Sequence, residues 1–387
     1  MSSLKTPMVV VGYVVLLTVG LASRFPSSSF GRQIGSFAFM RVLRQPRPNA
    51  ADARDQRRGY YEHLAAGANP TASWTAPPPE YRACVDPPLD SPASMLERVT
   101  TDWRNYRGRP SLNTTCFTDI AWRTNRYGFR DVEWKDQPEP GVVRIAIVGA
   151  SYEVGFGVAE QDAYPRLLER LLNEKAAPGV RYEIINTSVT GYTPLDTAAA
   201  IDQVLSFSPR LIIVPAHADV NLILRRLTSK RERFGTPDAK VALMPEPLRG
   251  LVEEGKRASP AGQRQAARAI KNRSYKMICG AGAERGVPVV WALIPPVDFV
   301  DPLGVVSAPA LAAGYDDERA SAAAAGCLTI DGRDVYAGHD LDETWVHDYD
   351  SHPSVLAHQL IANMLYERLG KIVLPGDVTL LTLRGGQ

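Results

Sequence analysis

The fold class of this chain is decided by the stretch Val143-Arg-Ile-Ala-Ile-Val-Gly-Ala-Ser-Tyr-Glu-Val-Gly-Phe-Gly-Val158. Its apolar, β-branched run stops at Gly149, which predicts a buried strand, and Ser151 follows where a loop or helix begins. In open parallel α/β sheets the ligand crevice lies outside the carboxyl ends of the strands, so a serine here would face a substrate. Serine is also a common helix N-cap, and the stretch taken alone fits that structural role better.

A second candidate site lies near the other end of the chain, in Asp348-Tyr-Asp-Ser-His-Pro-Ser-Val-Leu-Ala-His358. Asp350 precedes His352 by two residues, and Pro353 opens a helical apolar pattern. A neutral imidazole can take the proton of a serine hydroxyl, while a nearby carboxylate fixes its tautomer and stabilises the imidazolium that forms. Asp350 is the first candidate for that carboxylate and Asp348 the second. Taken alone, the segment fits a helix cap beside a solvated loop histidine.

Between these two sites the sequence alternates strand and helix patterns. This alternation indicates βαβ units, a parallel sheet and helices on both of its faces. The predicted strands cover residues 143–148, 182–186, 210–216 and 287–294. The predicted helices cover residues 164–173, 195–207, 262–279 and 308–325.

Four blocks, in this order along residues 125–369, resemble the GDSL or SGNH hydrolase family. The blocks are Asn125-Arg-Tyr-Gly-Phe-Arg130, Gly149-Ala-Ser-Tyr-Glu-Val-Gly-Phe-Gly-Val158, Asn186-Thr-Ser-Val-Thr-Gly-Tyr192 and Asp350-Ser-His-Pro353. The resemblance implies a flavodoxin-like three-layer α/β sandwich with a parallel sheet, behind an N-terminal extension. It also implies Ser151 as nucleophile, His352 as base and Asp350 as its orienting carboxylate, with the backbone N–H groups of Ser151 and Gly191 holding the oxyanion.

Two positions depart from the family blocks. The block Gly149–Val158 normally begins Gly-Asp-Ser, and Ala150 stands at the aspartate, so a carboxylate that organises the serine loop is missing. Another family block, which aligns with residues 212–221, normally ends in an Asn-Asp pair whose asparagine donates to the oxyanion. Ala218 stands at that asparagine, followed by Asp219. Loss of one such donor costs on the order of 10²–10³ in rate. His217 and Asn221 are the candidate replacements, although His217 fits almost equally as a histidine packed at a strand end.

Composition is that of a globular protein with material for one large or two modest domains: 387 residues, 45% hydrophobic and 22% charged. Lys and Arg total 44 against 42 for Asp and Glu, and the net charge of +2 gives no general affinity for polyanions. No nucleic-acid fingerprint or phosphate loop is present, so we expect no nucleic-acid partner. Neither a metal nor an organic cofactor is expected.

The chain has four cysteines, an even number that permits two disulfides in an exported protein. None belongs to a Cys-x-x-Cys pair, which argues against zinc and redox motifs. Of the three pairings that four cysteines allow, proximity in the sequence favours Cys84 with Cys116 and Cys279 with Cys327.

An apolar run at residues 8–22, preceded by Lys5, indicates export. It is shorter than the roughly 20 residues that span a bilayer, and Gly20-Leu-Ala22 offers small residues to a signal peptidase. We therefore expect residues 1–23 to be a signal peptide or a membrane anchor. Residues 24–124 would form a linker and a small N-terminal extension, and residues 125–374 the hydrolase-like domain. The protein would be periplasmic or extracellular, and membrane-associated if the segment is retained.

Together these features predict an exported serine esterase. The family resemblance implies that its substrate carries O-acyl groups, chiefly O-acetyl, on a carbohydrate or cell-envelope component. One alternative is an O-acyltransferase of the same fold. Another is a catalytically weak carbohydrate-binding or scaffold protein. Ala150 and Ala218 favour this last alternative, whereas Ser151, Asp350 and His352 oppose it.

Overall fold

The computed structural model describes residues 89, 91–92, 94–117, 119–176, 178–216, 220–230, 235–295, 309–339, 341–347 and 350–370. Several predictions fall outside these residues. They concern the apolar run at 8–22, Cys84, residues 217–219 and Asp348.

Two small antiparallel hairpins precede the main sheet. They pair Leu96–Arg98 (β1) with Tyr106–Gly108 (β2), and Asn113–Cys116 (β3) with Ile120–Arg123 (β4). Their buried side chains share one apolar core with the main sheet and the loop after its first strand. This core includes Tyr106, Phe117, Trp122, Val148 and Phe156. Because the core is shared, the hairpins are packed onto the α/β body.

Five parallel strands form the central sheet. They are Val142–Ile147 (β5), Arg181–Asn186 (β6), Leu211–Ala216 (β7), Val289–Leu293 (β8) and Leu328–Asp331 (β9). Their order is β6-β5-β7-β8-β9, which is the flavodoxin-like order with a switch point between β5 and β7. The predicted α/β class and parallel sheet are confirmed, and β9 is a strand that the sequence did not predict.

Helices cover both faces of the sheet. They are Ser151–Val154 (α1), Tyr164–Glu174 (α2), Pro194–Ser206 (α3), Val220–Thr228 (α4), Asp238–Val241 (α5), Leu248–Arg257 (α6), Pro260–Glu284 (α7), Pro309–Ala324 (α8), Leu341–Thr344 (α9) and Val355–Leu369 (α10), with a 3₁₀ turn at Glu160–Asp162. Successive side chains of a strand point to opposite faces. Accordingly Ile145 and Ile147 pack with α2 and α10, whereas Ala146 and Val148 pack with α3, α7 and α8.

A disulfide joins Cys279 in α7 to Cys327, the residue before β9, with their Cα atoms 5.5 Å apart. This pairing confirms the prediction for these two cysteines. Cys116 is also disulfide-bonded. Cys84 lies outside the described residues, so its predicted pairing stays a prediction.

The segment around His352 corrects one prediction. Pro353 does not open the helix but ends the strand Asp350–Pro353 (β11), which pairs with Trp345–His347 (β10). The helix begins at Val355 because the Ser354 hydroxyl caps it, accepting a hydrogen bond from the Ala357 N–H at 3.2 Å. In the described part of the chain, no helix combines the length and hydropathy needed to cross a bilayer.

Candidate active site

Ser151 is the first residue of α1, just past the carboxyl end of β5. The N-cap of this helix is Ala150, so the alternative role of Ser151 as the cap is wrong. The position adjoins the switch point of the sheet, where open α/β sheets bind ligands. The Ser151 side chain is half-buried, and its hydroxyl makes no hydrogen bond within the described residues. Catalytic hydrogen bonds are often long until substrate binds.

The turn that carries Ser151 is held by Glu153, a residue that the sequence did not single out. Glu153 is completely buried, and its Oε2 accepts a hydrogen bond from the Ala150 N–H at 2.6 Å. The Tyr164 hydroxyl donates to Oε1 at 3.2 Å, and burial raises the pKa of that hydroxyl, which keeps it protonated. A Cβ on Gly149 would collide with the carboxylate. The expected loss of a carboxylate from this loop is therefore corrected, because Glu153 supplies one.

The opposite end of α1 is held by Arg130, the last residue of the first family block. Its guanidinium donates to the carbonyls of Val154 at 3.1 Å, Gly155 at 2.5 Å and Val158 at 2.8 Å. It also lies 4.2 Å from the centre of the Trp122 ring. Burial lowers the pKa of Arg130 to about 10. The block Asn125–Arg130 thus has a physical role. Its arginine donates hydrogen bonds to carbonyl groups at the C-terminal end of the short helix α1 and in the loop that follows.

Asp350 and His352 form a buried pair in β11. His352 Nδ1 lies 2.5 Å from Asp350 Oδ1, and the His352 backbone N–H donates to the same oxygen at 3.0 Å. Asp350 is fully buried and His352 is 3% exposed, so the alternative of a solvated loop histidine is wrong. The carboxylate favours a proton on Nδ1 and leaves Nε2 as the nitrogen that can accept one.

The His352 ring packs against the residues that flank the candidate nucleophile. Its centroid lies 4.4 Å from that of Phe156 and 5.7 Å from that of Tyr152. The strand β11 contacts α1 directly. The structure therefore brings the Asp350–His352 pair to the turn that carries Ser151.

Gly191 lies in the turn after β6, which is tied to the nucleophile turn. The Val189 N–H donates to the Gly149 carbonyl at 3.2 Å, and the Gly149 N–H donates to the Ser188 hydroxyl at 2.9 Å. Gly191 has φ of +78°, in the left-handed region that favours glycine. Its N–H donates to no acceptor among the described residues. The turn thus offers a backbone donor near the nucleophile.

The candidates for the missing side-chain donor follow β7. Asn221 is the second residue of α4 and is exposed. His217 and Ala218 lie outside the described residues, so their predicted roles stay predictions. Within the part of the chain that the structure describes, no group of three or more His, Cys, Asp or Glu side chains is placed to hold a metal ion.

A cleft of about 680 Å³ lies beside the loop that follows α1. Its walls are largely apolar, with carboxylates at the exposed rim. The lining includes Val158, Val346, Val355 and Leu356, with Asp119 and Glu343 at the rim. The cleft borders Ser354, two residues after His352, and Gly157, in the loop after α1.

The order of the five parallel strands and the places of the blocks agree with the resemblance. Ser151 follows β5, the Gly191 turn follows β6, and the Asp350–His352 pair precedes the last helix. The chain has a flavodoxin-like α/β fold with a parallel sheet, which is the fold that the resemblance implies.

Comparisons with known proteins gave structural neighbours only. No family model matches the chain, and no curated protein matches it. One similar structure is of a protein assigned to the G-D-S-L lipolytic family from Desulfitobacterium hafniense, with 13% identity over 58% of this chain and 98% of that chain and a TM-score of 0.36. Another is the psychrotrophic esterase EstA from Pseudoalteromonas, with 14% identity over 59% and 97% of the two chains and a TM-score of 0.37. A third is a catalytic mutant of the acetylxylan esterase Axe2 from Geobacillus stearothermophilus, with 12% identity over 59% and 94% and a TM-score of 0.38.

Proposed function

We propose that this chain is a serine esterase of the GDSL/SGNH type. The observation that carries the proposal is the buried Asp350–His352 pair, packed against the turn that presents Ser151 at the switch point of the sheet. A histidine held this way by a carboxylate is suited to take a proton at Nε2. The buried hydrogen bonds of Glu153 and Arg130 at the two ends of α1 support the proposal, because a nucleophile must be held in a fixed position.

The proposed reaction has two halves. Ser151 Oγ attacks the carbonyl carbon of an ester while His352 Nε2 takes the hydroxyl proton, and Asp350 stabilises the resulting imidazolium. The backbone N–H groups of Ser151 and Gly191 hold the oxyanion. His352 then gives its proton to the departing alkoxide oxygen, which leaves as an alcohol. Water attacks the acyl-enzyme by the same route in reverse, releasing the acid and restoring Ser151.

For the substrate we propose a short acyl group, chiefly acetyl, on a carbohydrate or cell-envelope component. This part rests on the family resemblance. Transfer to a sugar hydroxyl would use the same residues and differs only in which acceptor attacks the acyl-enzyme. Export, which the run at residues 8–22 predicts, is part of the same proposal.

Labelling with a fluorophosphonate probe tests the proposal. A fluorophosphonate forms a covalent bond with an activated serine, and peptide mapping then identifies the residue. We expect the label on Ser151 and expect Ser151→Ala to abolish both labelling and turnover of a short-chain acyl ester, with little change in the melting temperature. Ser206→Ala, which alters an exposed serine of α3, is the matched control. Ser151→Ala activity within a factor of a few of the parent would overturn the proposal.

A further inference from the structure

A buried charged network surrounds the turn that carries Gly191. Arg226 Nη2 of α4 lies 2.6 Å from Asp196 Oδ2 of α3, and each side chain is 4% exposed. The same Asp196 oxygen accepts hydrogen bonds from the Thr193 N–H at 2.9 Å and the Thr193 hydroxyl at 2.8 Å. The desolvation of two charges offsets most of their attraction, so such a pair contributes little net stability. What it does provide is a fixed geometry at the start of α3.

Tyr106, from the N-terminal hairpin β1–β2, connects this network to Gly191. The Arg226 guanidinium lies over the Tyr106 ring, 5.7 Å from its centre. A Cβ built on Gly191 would lie only 2.6 Å from that hydroxyl oxygen, so the hydroxyl lies directly against the Gly191 backbone. On the other side of the turn, the Tyr192 hydroxyl donates to the Tyr106 carbonyl at 3.1 Å.

The turn is thus enclosed by groups that leave it little freedom. Glycine is the residue with the widest choice of backbone conformations, so a turn built on Gly191 depends on its neighbours to keep one of them. Tyr106 is 1% exposed, and the Arg226 guanidinium lies over its ring. A displacement of the Tyr106 hydroxyl would free the peptide group that carries the Gly191 N–H.

We infer that Tyr106 is a positioning residue for the oxyanion site: its hydroxyl acts through Gly191, and its ring packs under the guanidinium of the Arg226–Asp196 pair. This inference rests on the proposed function. An oxyanion donor works only when it lies about 2.7–3.1 Å from the developing charge, so a small shift of the Gly191 N–H lowers the rate. The side chain of Ala218 has no hydrogen-bond donor, so the stabilisation of the oxyanion depends more on the backbone N–H groups. A residue before position 125 is then needed for catalysis.

Tyr106→Phe in the full chain tests the inference, because it removes only the hydroxyl. We expect kcat for a short-chain acyl ester to fall by about tenfold or more, with KM within about twofold, since the contact acts on the transition state. The rate of fluorophosphonate labelling at Ser151 should fall in proportion, because the phosphonyl oxygen occupies the oxyanion position. A purely structural role would lower the melting temperature and leave kcat unchanged well below it.

Two further variants sharpen the test. Tyr275→Phe is the matched control, because Tyr275 is also fully buried and donates its hydroxyl to Glu318, itself paired with Lys271, between α7 and α8. It should leave kcat unchanged. Arg226→Lys keeps the charge beside Asp196 but lacks the planar guanidinium that lies over the Tyr106 ring, and should lower kcat in the same sense as Tyr106→Phe.

The outcomes separate the inference from the proposed function. Normal labelling of Ser151 in the parent protein, with kcat of Tyr106→Phe and Arg226→Lys within twofold of the parent, overturns the inference and leaves the proposed function standing. A parent protein that neither labels at Ser151 nor turns over an ester overturns both. A fall in kcat for both variants, with Tyr275→Phe unaffected, supports the inference.

Discussion

The Glu153 carboxylate and the Ala150 backbone N–H are joined by a 2.6 Å hydrogen bond directly before the candidate nucleophile. The next peptide group carries the Ser151 N–H, which is one of the two proposed backbone donors to the oxyanion. By fixing the Ala150 peptide, Glu153 also limits how the Ser151 peptide can turn. The absence of a carboxylate at position 150 is therefore compensated three residues later, from inside the core.

Substitution of Glu153 should lower turnover more than substrate binding. Glu153→Gln keeps one acceptor oxygen for two donors, the Ala150 N–H and the Tyr164 hydroxyl. We expect kcat to fall by about tenfold for Glu153→Gln and further for Glu153→Leu, with KM little changed. Glu153→Leu should also lower the free energy of unfolding by about 1–3 kcal/mol, because it leaves buried donors unpaired. Steady-state kinetics and urea unfolding measure both effects, with the exposed Glu174→Gln as control. If Glu153→Leu keeps the kcat of the parent, the hydrogen bonds of the Glu153 carboxylate do not contribute to catalysis.

The sheet shows which strands a sequence can reveal. The strands β7 and β8 are buried on both faces and appear as unbroken apolar runs, and β5 is apolar apart from Arg144. All three were therefore predicted to within two residues at each end. The strand β9 was not predicted because its four residues, Leu328–Asp331, include a threonine and an aspartate and form the edge of the sheet. Leu328 itself is 36% exposed, so no apolar run marks this strand.

The site shows the corresponding limit for function. Ser151, Asp350 and His352 could be proposed because each lies in a short local pattern. The roles of Arg130 and Tyr106 depend on contacts between segments far apart in the chain, which no local pattern encodes. The role of Glu153 depends on its buried carboxylate turning back to the Ala150 N–H three residues earlier. Only the glutamate within the block Gly149–Val158 and the arginine that ends the block Asn125–Arg130 offered a signal.

Asp350→Asn should separate the orientation of His352 from its presence. An asparagine amide can donate to Nδ1 and hold the ring in the tautomer with the proton on Nε2, which cannot then accept the Ser151 proton. We expect kcat to fall on the order of 10²–10⁴, with the fold retained by circular dichroism. Asp202→Asn, an exposed aspartate paired with Arg285, is the matched control. A loss of less than about tenfold would argue against His352 as the base.

The side-chain donor to the oxyanion can be sought at His217 and Asn221. If the His217 ring N–H takes the place of the missing asparagine, His217→Ala should lower kcat by on the order of 10², with little effect on KM. Ala218→Asn in that background should restore part of the loss. Asn221→Ala is the parallel test of the second candidate. If His217→Ala leaves kcat unchanged and Ala218→Asn sharply raises the kcat of the parent, the site lacks this donor.

The cysteines test the compartment and the fold together. Disulfides persist in oxidising compartments, so protein recovered from the cell envelope should show no free thiol on alkylation under denaturing conditions. The Cys279–Cys327 bond closes a loop with a sequence separation of 48. Removal of both cysteines should then lower the free energy of unfolding by up to about 4 kcal/mol. Four free thiols in natively exported protein would contradict both the bonds and the predicted export.

Acid stability should depend on His358, a fully buried residue of α10. Its Nδ1 accepts a hydrogen bond from the Tyr164 N–H at 3.2 Å, and burial lowers the pKa of His358 from 6.5 to about 3. The unfolded chain takes up a proton at this residue below about pH 6.5 and the folded chain does so only near pH 3, so stability falls as pH decreases between these values. At pH 5 the loss relative to pH 8 is about 2 kcal/mol. His358→Asn keeps an acceptor for the Tyr164 N–H and cannot titrate. In urea unfolding, the variant should therefore lose about 2 kcal/mol less than the parent between pH 8 and pH 5. Equal losses in the two proteins would mean that His358 is protonated in the folded state.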